Sequence, residues 1–267
     1  MNHHHALALA LLAMGAAVPA HAHPHDWQLH PSCSVSSDYD LDVQPDSIRF
    51  TRDDGSPRQV TMHDGQLAVN GHPLPVTPAD AARLRQYEAQ VRALLPDVAG
   101  IARDGVGIGF DALATVATTF ADTPDERMRV TRQLTAQRTQ ALAEVDQSIG
   151  HGQWQHDSLE RMMDHELSDA VSALVGTVTA HAMRAALSGD QSQVAALEAR
   201  ADSLDKSIDR AVAAPAEQLA RRADALCPRL IQLDQLQHQF TFRLPDGSPL
   251  SLMRLEQEHR ISVAAAH

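Results

Sequence analysis

With 267 residues, 43% of them apolar but only 3% aromatic, the chain has the means to bury a core, and that core must be mostly Leu, Val, Ala and Met. Such a core suits packed helices better than a sandwich or barrel, and it makes disorder the wrong default. A net charge of −12, with 34 acids against 22 Lys and Arg, excludes nucleic acid as a partner and disfavours acidic membranes, because both need a basic surface.

The first 22 residues read as a secretory signal. An apolar run from Ala6 to Val18 is followed by Pro19 and by Ala20-His21-Ala22, which offers small side chains at both positions that a signal peptidase inspects. Asn2, His3, His4 and His5 supply no Lys or Arg, so the positive charge before the run rests on the amino terminus and the histidines. The run is too short to span a bilayer, and no lipid-attachment cysteine follows it. Export with cleavage after Ala22 is the expectation, leaving His23 first on a soluble chain that is not an integral membrane protein.

Export makes the two cysteines informative, since an oxidising compartment favours pairing and an even count leaves no thiol over. A disulfide between Cys33 and Cys227 is expected, closing a loop worth about 4–5 kcal/mol on the chain-entropy model. The competing reading is two separate buried thiols.

Residues 23–32 have no periodicity and are expected to be a flexible lead-in. From Cys33 to Val76 the period is two: Tyr39, Leu41 and Val43 alternate with Asp38, Asp40 and Asp42, then Ile48, Phe50, Val60 and Met62 follow on either side of Asp54-Gly55-Ser56-Pro57. Asp64-Gly65 and Asn70-Gly71 are hairpin turns, because both pairs tolerate the positive φ required. Residues 33–76 thus form an antiparallel β-meander.

Thr77, Pro78 and Asp80 announce a helix that runs to about Leu95. Pro96 is expected to restart the chain into a second helix, with Val98, Ile101, Gly105, Ile108, Ala112, Val116 and Phe120 on one stripe. A third opens at Thr123-Pro124-Asp125-Glu126 and stops at Gly150, and the segment from Gly150 to Gln155 is a turn. From Asp157 to Leu236 apolar residues recur at helical spacing in two runs. The first is Leu159, Met163, Leu167, Ala170, Leu174, Val178 and Ala185; the second runs from Val194 through Leu204 and Ile208 to Leu233. The short turn at Ser188-Gly189-Asp190 makes them an antiparallel hairpin, the element around which the chain is organised. The helical body spans 77–236. Residues 237–256 return to period two as a hairpin around Asp246-Gly247-Ser248-Pro249, expected to join the N-terminal sheet, and 257–267 are a flexible tail.

The resulting fold class is α+β: a small antiparallel β-sheet from the N- and C-terminal segments, packed at one end of an elongated antiparallel helical bundle.

The chain resembles the YggN-like family of exported proteins of unknown function. The resemblance is carried by a cysteine opening the first strand after a signal, Leu67-Ala68-Val69-Asn70-Gly71, the Pro-Leu-Pro-Val-Thr-Pro entry to the first helix, Leu94 to Phe110, and Leu226-Cys227-Pro228-Arg229-Leu230. It implies a periplasmic location and transfers no catalytic residue.

Candidate chemistry is sparse. His165-Glu166-Leu167-Ser168-Asp169 resembles the zinc-protease helix, with Asp169 where a second histidine belongs; His165 and Asp169 would share a face opposite the Leu167 stripe. His181 lies on the apolar side of its helix, where a satisfied core histidine is the bland reading. His23, His25 and His30 cluster at the expected mature N-terminus. Pro24 defeats the square-planar copper site, leaving copper on His23 with help from His25 as the metal reading and a disordered tail as the bland one. Gly105, Gly107 and Gly109 lack the third glycine of a dinucleotide loop, and Asp38, Asp40 and Asp42 fail as a calcium loop because Val43 and Arg49 stand where Gly and Glu are needed. Those acids fit the exposed face of an edge strand better. No cofactor is indicated and no nucleophile stands out. The preferred function is a non-enzymatic module that binds a periplasmic or envelope protein through its helical body, with monomer and helix-mediated homodimer both open. The alternative is a metal-binding protein, which needs at least three of His151, His156, His165, Asp169 and His181 to converge.

Overall fold

Alternating apolar residues near the start of the chain form strands, and a computed structural model shows how they are assembled; it describes residues 26–29, 33–155, 176, 179–180, 183, 187 and 191–256. Seven strands come first: β1 (Asp26–Leu29), β2 (Cys33–Ser36), β3 (Asp40–Val43), β4 (Ile48–Thr51), β5 (Gln59–His63), β6 (Gln66–Val69) and β7 (His72–Leu74). From β3 to β7 each strand pairs antiparallel with the next, as the turn residues require. Asp64 and Gly65 have φ of 45° and 78°, and Asn70 and Gly71 have 50° and 79°, the left-handed pairs that match strand twist in two-residue hairpins.

The register puts Ile48 opposite Met62, Phe50 opposite Val60, Met62 opposite Leu67 and Val60 opposite Val69. All six of these side chains are buried. They form one face of the sheet, and against it lie Leu84, Tyr87, Val91 and Leu94 of the first helix, α1 (Pro78–Phe120). The other face carries Arg49, Thr61, His63 and Gln66 toward water, the one-sided pattern of an antiparallel sheet.

Helix α1 begins as its sequence demands: the Thr77 hydroxyl accepts a hydrogen bond from the Asp80 amide at 3.1 Å, with Pro78 at the first helical position. It does not end at Leu95. The helix continues through Pro96 for 43 residues, about 65 Å. Pro96 stands on the exposed side, where water can serve the carbonyl that loses its donor, and Arg229 brackets the site by donating to the Ala93 carbonyl and to Asp97.

The second helix, α2 (Pro124–Gln147), opens at the expected residues, with the Thr123 hydroxyl accepting from the Glu126 amide at 3.2 Å and Glu126 accepting from the Asp122 amide at 3.0 Å. It packs Leu134 and Ala141 on Phe110, Leu113 and Ala117 of α1. The stretch read as a turn then adds a short strand, β8 (Gln153–Trp154), beside β3. Asp40 and Asp42 are therefore not on an edge strand: the six-stranded order is β7-β6-β5-β4-β3-β8.

Beyond residue 190 the helical seam folds as α3 (Gln191–Ile208), a π-helical turn at Asp209–Ala213, α4 (Ala214–Asp224) and α5 (Cys227–Gln237). The π turn immediately precedes Pro215, whose missing N–H an ordinary helical turn would have needed. Most of the run from 157 to 190 lies outside the described residues, so the organising element of the described structure is α1, which touches α2, α3, α4 and α5 as well as β5 and β6. Among the described residues no helix is long and apolar enough to cross a membrane.

Two sequence expectations at the chain ends are corrected. The C-terminal segment is not a hairpin: residues 240–253 make no regular strand, and only β9 (Arg254–Glu256) does. It does join the strands of residues 33–76, but through β2 alone. β9 pairs with β2, and β1-β2-β9 is a separate three-stranded sheet, which also makes strand β1 of residues expected to be a loose lead-in. The alternation still had a cause, since Phe240, Phe242, Leu244, Leu250 and Leu252 are all buried in the main core. That core gathers aromatic rings from distant parts of the chain into one file, Tyr39, Phe50, Tyr87, Phe240 and Phe242, with neighbouring centroids 5.1 to 6.4 Å apart.

Candidate functional site

An irregular segment inside a core must find partners for its backbone groups. Residues 240–253 find some of them in their own turns and others on three polar side chains from elsewhere in the chain. Gln237, itself buried, accepts at its Oε1 from the Leu252 amide at 3.0 Å, while its Nε2 donates to the Met253 carbonyl at 2.7 Å and to Asp234 at 2.8 Å. The Ser37 hydroxyl donates to the Leu252 carbonyl at 2.7 Å. Asp80 is fully buried; it accepts from the Thr241 amide at 3.0 Å, the Thr241 hydroxyl at 2.5 Å, the Thr77 hydroxyl at 2.9 Å and Arg83 at 2.9 Å. Burial alone would raise its pKa. The donors from Thr241, Thr77 and Arg83 outweigh burial and hold the carboxyl below its ordinary range. Tyr87 shows burial unopposed: its phenol is pushed up, with the charge of Asp234 adding to the effect. A satisfied buried carboxylate of this kind is a structural pin, with no lone pair aimed at a cavity.

A second polar cluster joins the two sheets. Asp38 takes a two-pronged contact from Arg254 at 2.8 and 2.9 Å, and Arg52 lies 4.6 Å above the Tyr39 ring while donating to the Pro57 carbonyl at 2.8 Å. The hydrogen bond from Arg254 holds the Asp38 carboxyl low.

Along α1 the polar groups form a ladder with a sequence period. Asp97, Asp104 and Asp111 recur every seventh residue, and each has a small residue four positions earlier: Ala93, Gly100 and Gly107. Each aspartate pairs with an arginine from a neighbouring helix, Arg229, Arg222 and Arg138 respectively. The same arginines cover the small residues: Arg229 reaches the Ala93 carbonyl, and a Cβ placed on Gly100 or Gly107 would meet Arg222 at 2.7 Å or Arg138 at 3.2 Å. Arg103 with Asp146 and Asp122 with Arg200 extend the series. The pairs Asp97–Arg229, Asp104–Arg222 and Asp122–Arg200 run in opposite sequence directions, so α3 to α5 lie antiparallel to α1. All these groups are partly exposed, so each pair contributes about 0.2–1 kcal/mol. Asp104→Ala should therefore lower the denaturation free energy by less than about 1 kcal/mol, and most of that loss should vanish in 1 M salt. An equal loss at both ionic strengths would show that the ladder acts by packing alone.

A Cβ placed on Gly105, on the apolar stripe of α1, would lie 3.8 Å from the Leu219 side chain. Among the described residues, the large apolar side chains that remain open to water are Met128 on α2, at 54% exposure, and Met183 and Leu187, at 58% and 86%. All three stand on helices, and Gly176, Thr179 and Ala180 beside the latter two are exposed as well.

Of the residues singled out by sequence, His23, His25, His30, His156, His165, Asp169 and His181 lie outside the described residues, as does the signal segment 1–22. His151 is exposed, with its Nδ1 2.6 Å from the Asp146 carbonyl. Among the described residues no three His, Cys, Asp or Glu side chains gather as metal ligands. Cys227 is buried and stands without a disulfide partner there, and the side chain of Cys33 lies outside the described set. Sequence reasoning missed Gln237 and the long-range role of Asp80; the period of Asp97, Asp104 and Asp111 is the signal that would have found the ladder.

A family model described as "Protein of unknown function (DUF2884)" matches residues 33–253. No curated protein and no solved structure matches the chain.

Proposed function

Since the chain belongs to the DUF2884 family, whose description assigns no activity, we propose that it is an interaction module of the bacterial envelope that docks a partner protein through its helical body. The observation that carries this reading is the placement of the exposed large apolar side chains. Met128, Met183 and Leu187 are all helical, while the open face of the six-stranded sheet is polar. In the same reading the segment 1–22 is an export signal cleaved after Ala22, the compartment is the periplasm, and the family is the YggN-like one. The sheets then sit at one end of an elongated antiparallel helical body.

The test is site-specific photo-crosslinking in intact cells, with the crosslinking side chain placed at Met128, at Leu187 and, on the sheet face, at Thr61. One protein adduct of fixed mass is expected from the helical positions and none from Thr61. An adduct at twice the mass of the chain would identify the partner as a second copy. Crosslinks confined to Thr61 would overturn the helical surface.

A further inference from the structure

The chain has two cysteines, Cys33 at the first residue of the family match and Cys227 within it. Cys33 opens β2, the middle strand of the three-stranded sheet, opposite Leu29 of β1, with β9 on the other side of β2. β1 lies against α4, and β9 lies against α5. Cys227 occupies the junction between those two helices, as the first residue of α5, and is buried. The strand carrying Cys33 is thus held between two strands, each resting on one of the two helices that flank Cys227. Val35, two residues along β2, packs on the core that contains Leu226, the neighbour of Cys227.

From this placement we propose that Cys33 and Cys227 become one intramolecular disulfide, a clasp that fastens the three-stranded sheet to the α4–α5 junction. The step is thiol–disulfide exchange. The thiolate of one cysteine attacks a sulfur of a disulfide oxidant and expels the first oxidant thiol. The other cysteine then attacks the mixed disulfide and expels the second. Two protein thiols are oxidised, one oxidant disulfide is reduced by two electrons, and the two protons end on the expelled thiols. The sheet has reason to need the clasp, because its strands are only four, four and three residues long, and pieces of that size are marginal unless anchored. The six-stranded sheet needs none, since its buried face is held by α1. The clasp is independent of the docking reading: it concerns bonding within one copy and is measured without a partner.

The full chain, reduced and then incubated with oxidised glutathione at neutral pH, is denatured, treated with a thiol-alkylating reagent and weighed. A monomer two hydrogens lighter than the reduced form, with no alkyl group and a linked peptide pair containing Cys33 and Cys227, is the expected result. Two alkylated thiols, glutathione left on either cysteine, or a disulfide-linked dimer would each overturn it. Hydrogen exchange then tests the clasp itself. Reduction, or Cys33→Ala, should speed exchange in 26–36 and 254–256 by about tenfold or more while leaving β4 to β6 unchanged. Equal protection of the small sheet in both redox states would refute the fastening role even if the bond forms.

Discussion

Asp80→Ala is expected to be among the most damaging single substitutions in this chain, lowering its stability by about 3–5 kcal/mol at neutral pH, the range for breaking a buried ionic hydrogen-bonded cluster from one side. The alanine leaves the Thr241 amide and hydroxyl and Arg83 without their acceptor, at the point where the C-terminal segment meets the start of α1. Asp80→Asn keeps the shape and one acceptor oxygen but loses the charge. The same carboxylate sets a pH dependence whose sign is fixed by its lowered pKa. An aspartate titrating lower in the folded than in the unfolded chain contributes its full stabilisation above the unfolded value, about 3.9, and loses it as the pH falls through the folded value. Urea unfolding at pH 7 and pH 3 should show the wild type losing more stability on acidification than Asp80→Asn does. Asp38, also held low, adds an acid-sensitive contribution of the same sign to both proteins, so the difference between them isolates Asp80. Parallel losses in the two proteins would mean that the Asp80 charge is not what Thr241 and Arg83 stabilise.

Gly65→Ala comes next, with an expected loss of about 2–4 kcal/mol. Two costs fall on the same atom. At φ of 78° a Cβ meets its own backbone, and at this position it would also stand 2.5 Å from the carbonyl oxygen of Ala81 in the first turns of α1. A helix backbone cannot yield as a side-chain tip does, so the sheet and α1 must part locally, which also disturbs the 3.2 Å bond from the Gly65 amide to buried Glu88. Gly71 provides the control. It has φ of 79° in the same kind of turn, but nothing lies within 4 Å of its would-be Cβ. Gly71→Ala should therefore cost only the conformational part, about 1–2 kcal/mol. If thermal or urea unfolding gives the two alanines equal effects, contact with Ala81 is not what requires glycine at position 65.

The sequence made local signals legible and left long-range ones hidden. Both turn pairs, both threonine caps and the inward alternation of Ile48, Phe50, Val60 and Met62 were visible because each is decided within a few residues. Pro96 misled because its usual consequence, a helix break, was overruled by burial on both sides of it: Leu94, Val98 and Ile101 pack on the main core while Pro96 itself faces water. The hairpin expected near Asp246 was a correct burial pattern attached to the wrong backbone pairing: Phe240, Phe242 and Leu244 face the core, yet the Phe240 and Leu244 amides bond within turns and not to a neighbouring strand. Period two reports which residues are buried, and only a neighbouring strand makes them a strand. For the site, the aspartates of the α1 ladder were readable as a seven-residue period, whereas Gln237 carries no local sign that it will bind residues 252 and 253. The histidine candidates fall largely outside the described residues, so the exposed helical side chains carry the functional reading.

The attachment of the C-terminal segment governs when this protein can fold. Ser37 is joined to Leu252 at a sequence separation of 215, and Asp80 to Thr241 at one of 161. The buried face of the meander is roofed partly by α1 and partly by residues between Phe240 and Met253, so until that segment docks the sheet, helix and turns enclose an unfinished hydrophobic interior. Folding to completion consequently waits for residues 240–253 to dock, a slow step because its closing contacts are distant in sequence. A chain built this way stays open until that segment has docked. It also gives proteases their best opportunity before the final segment docks.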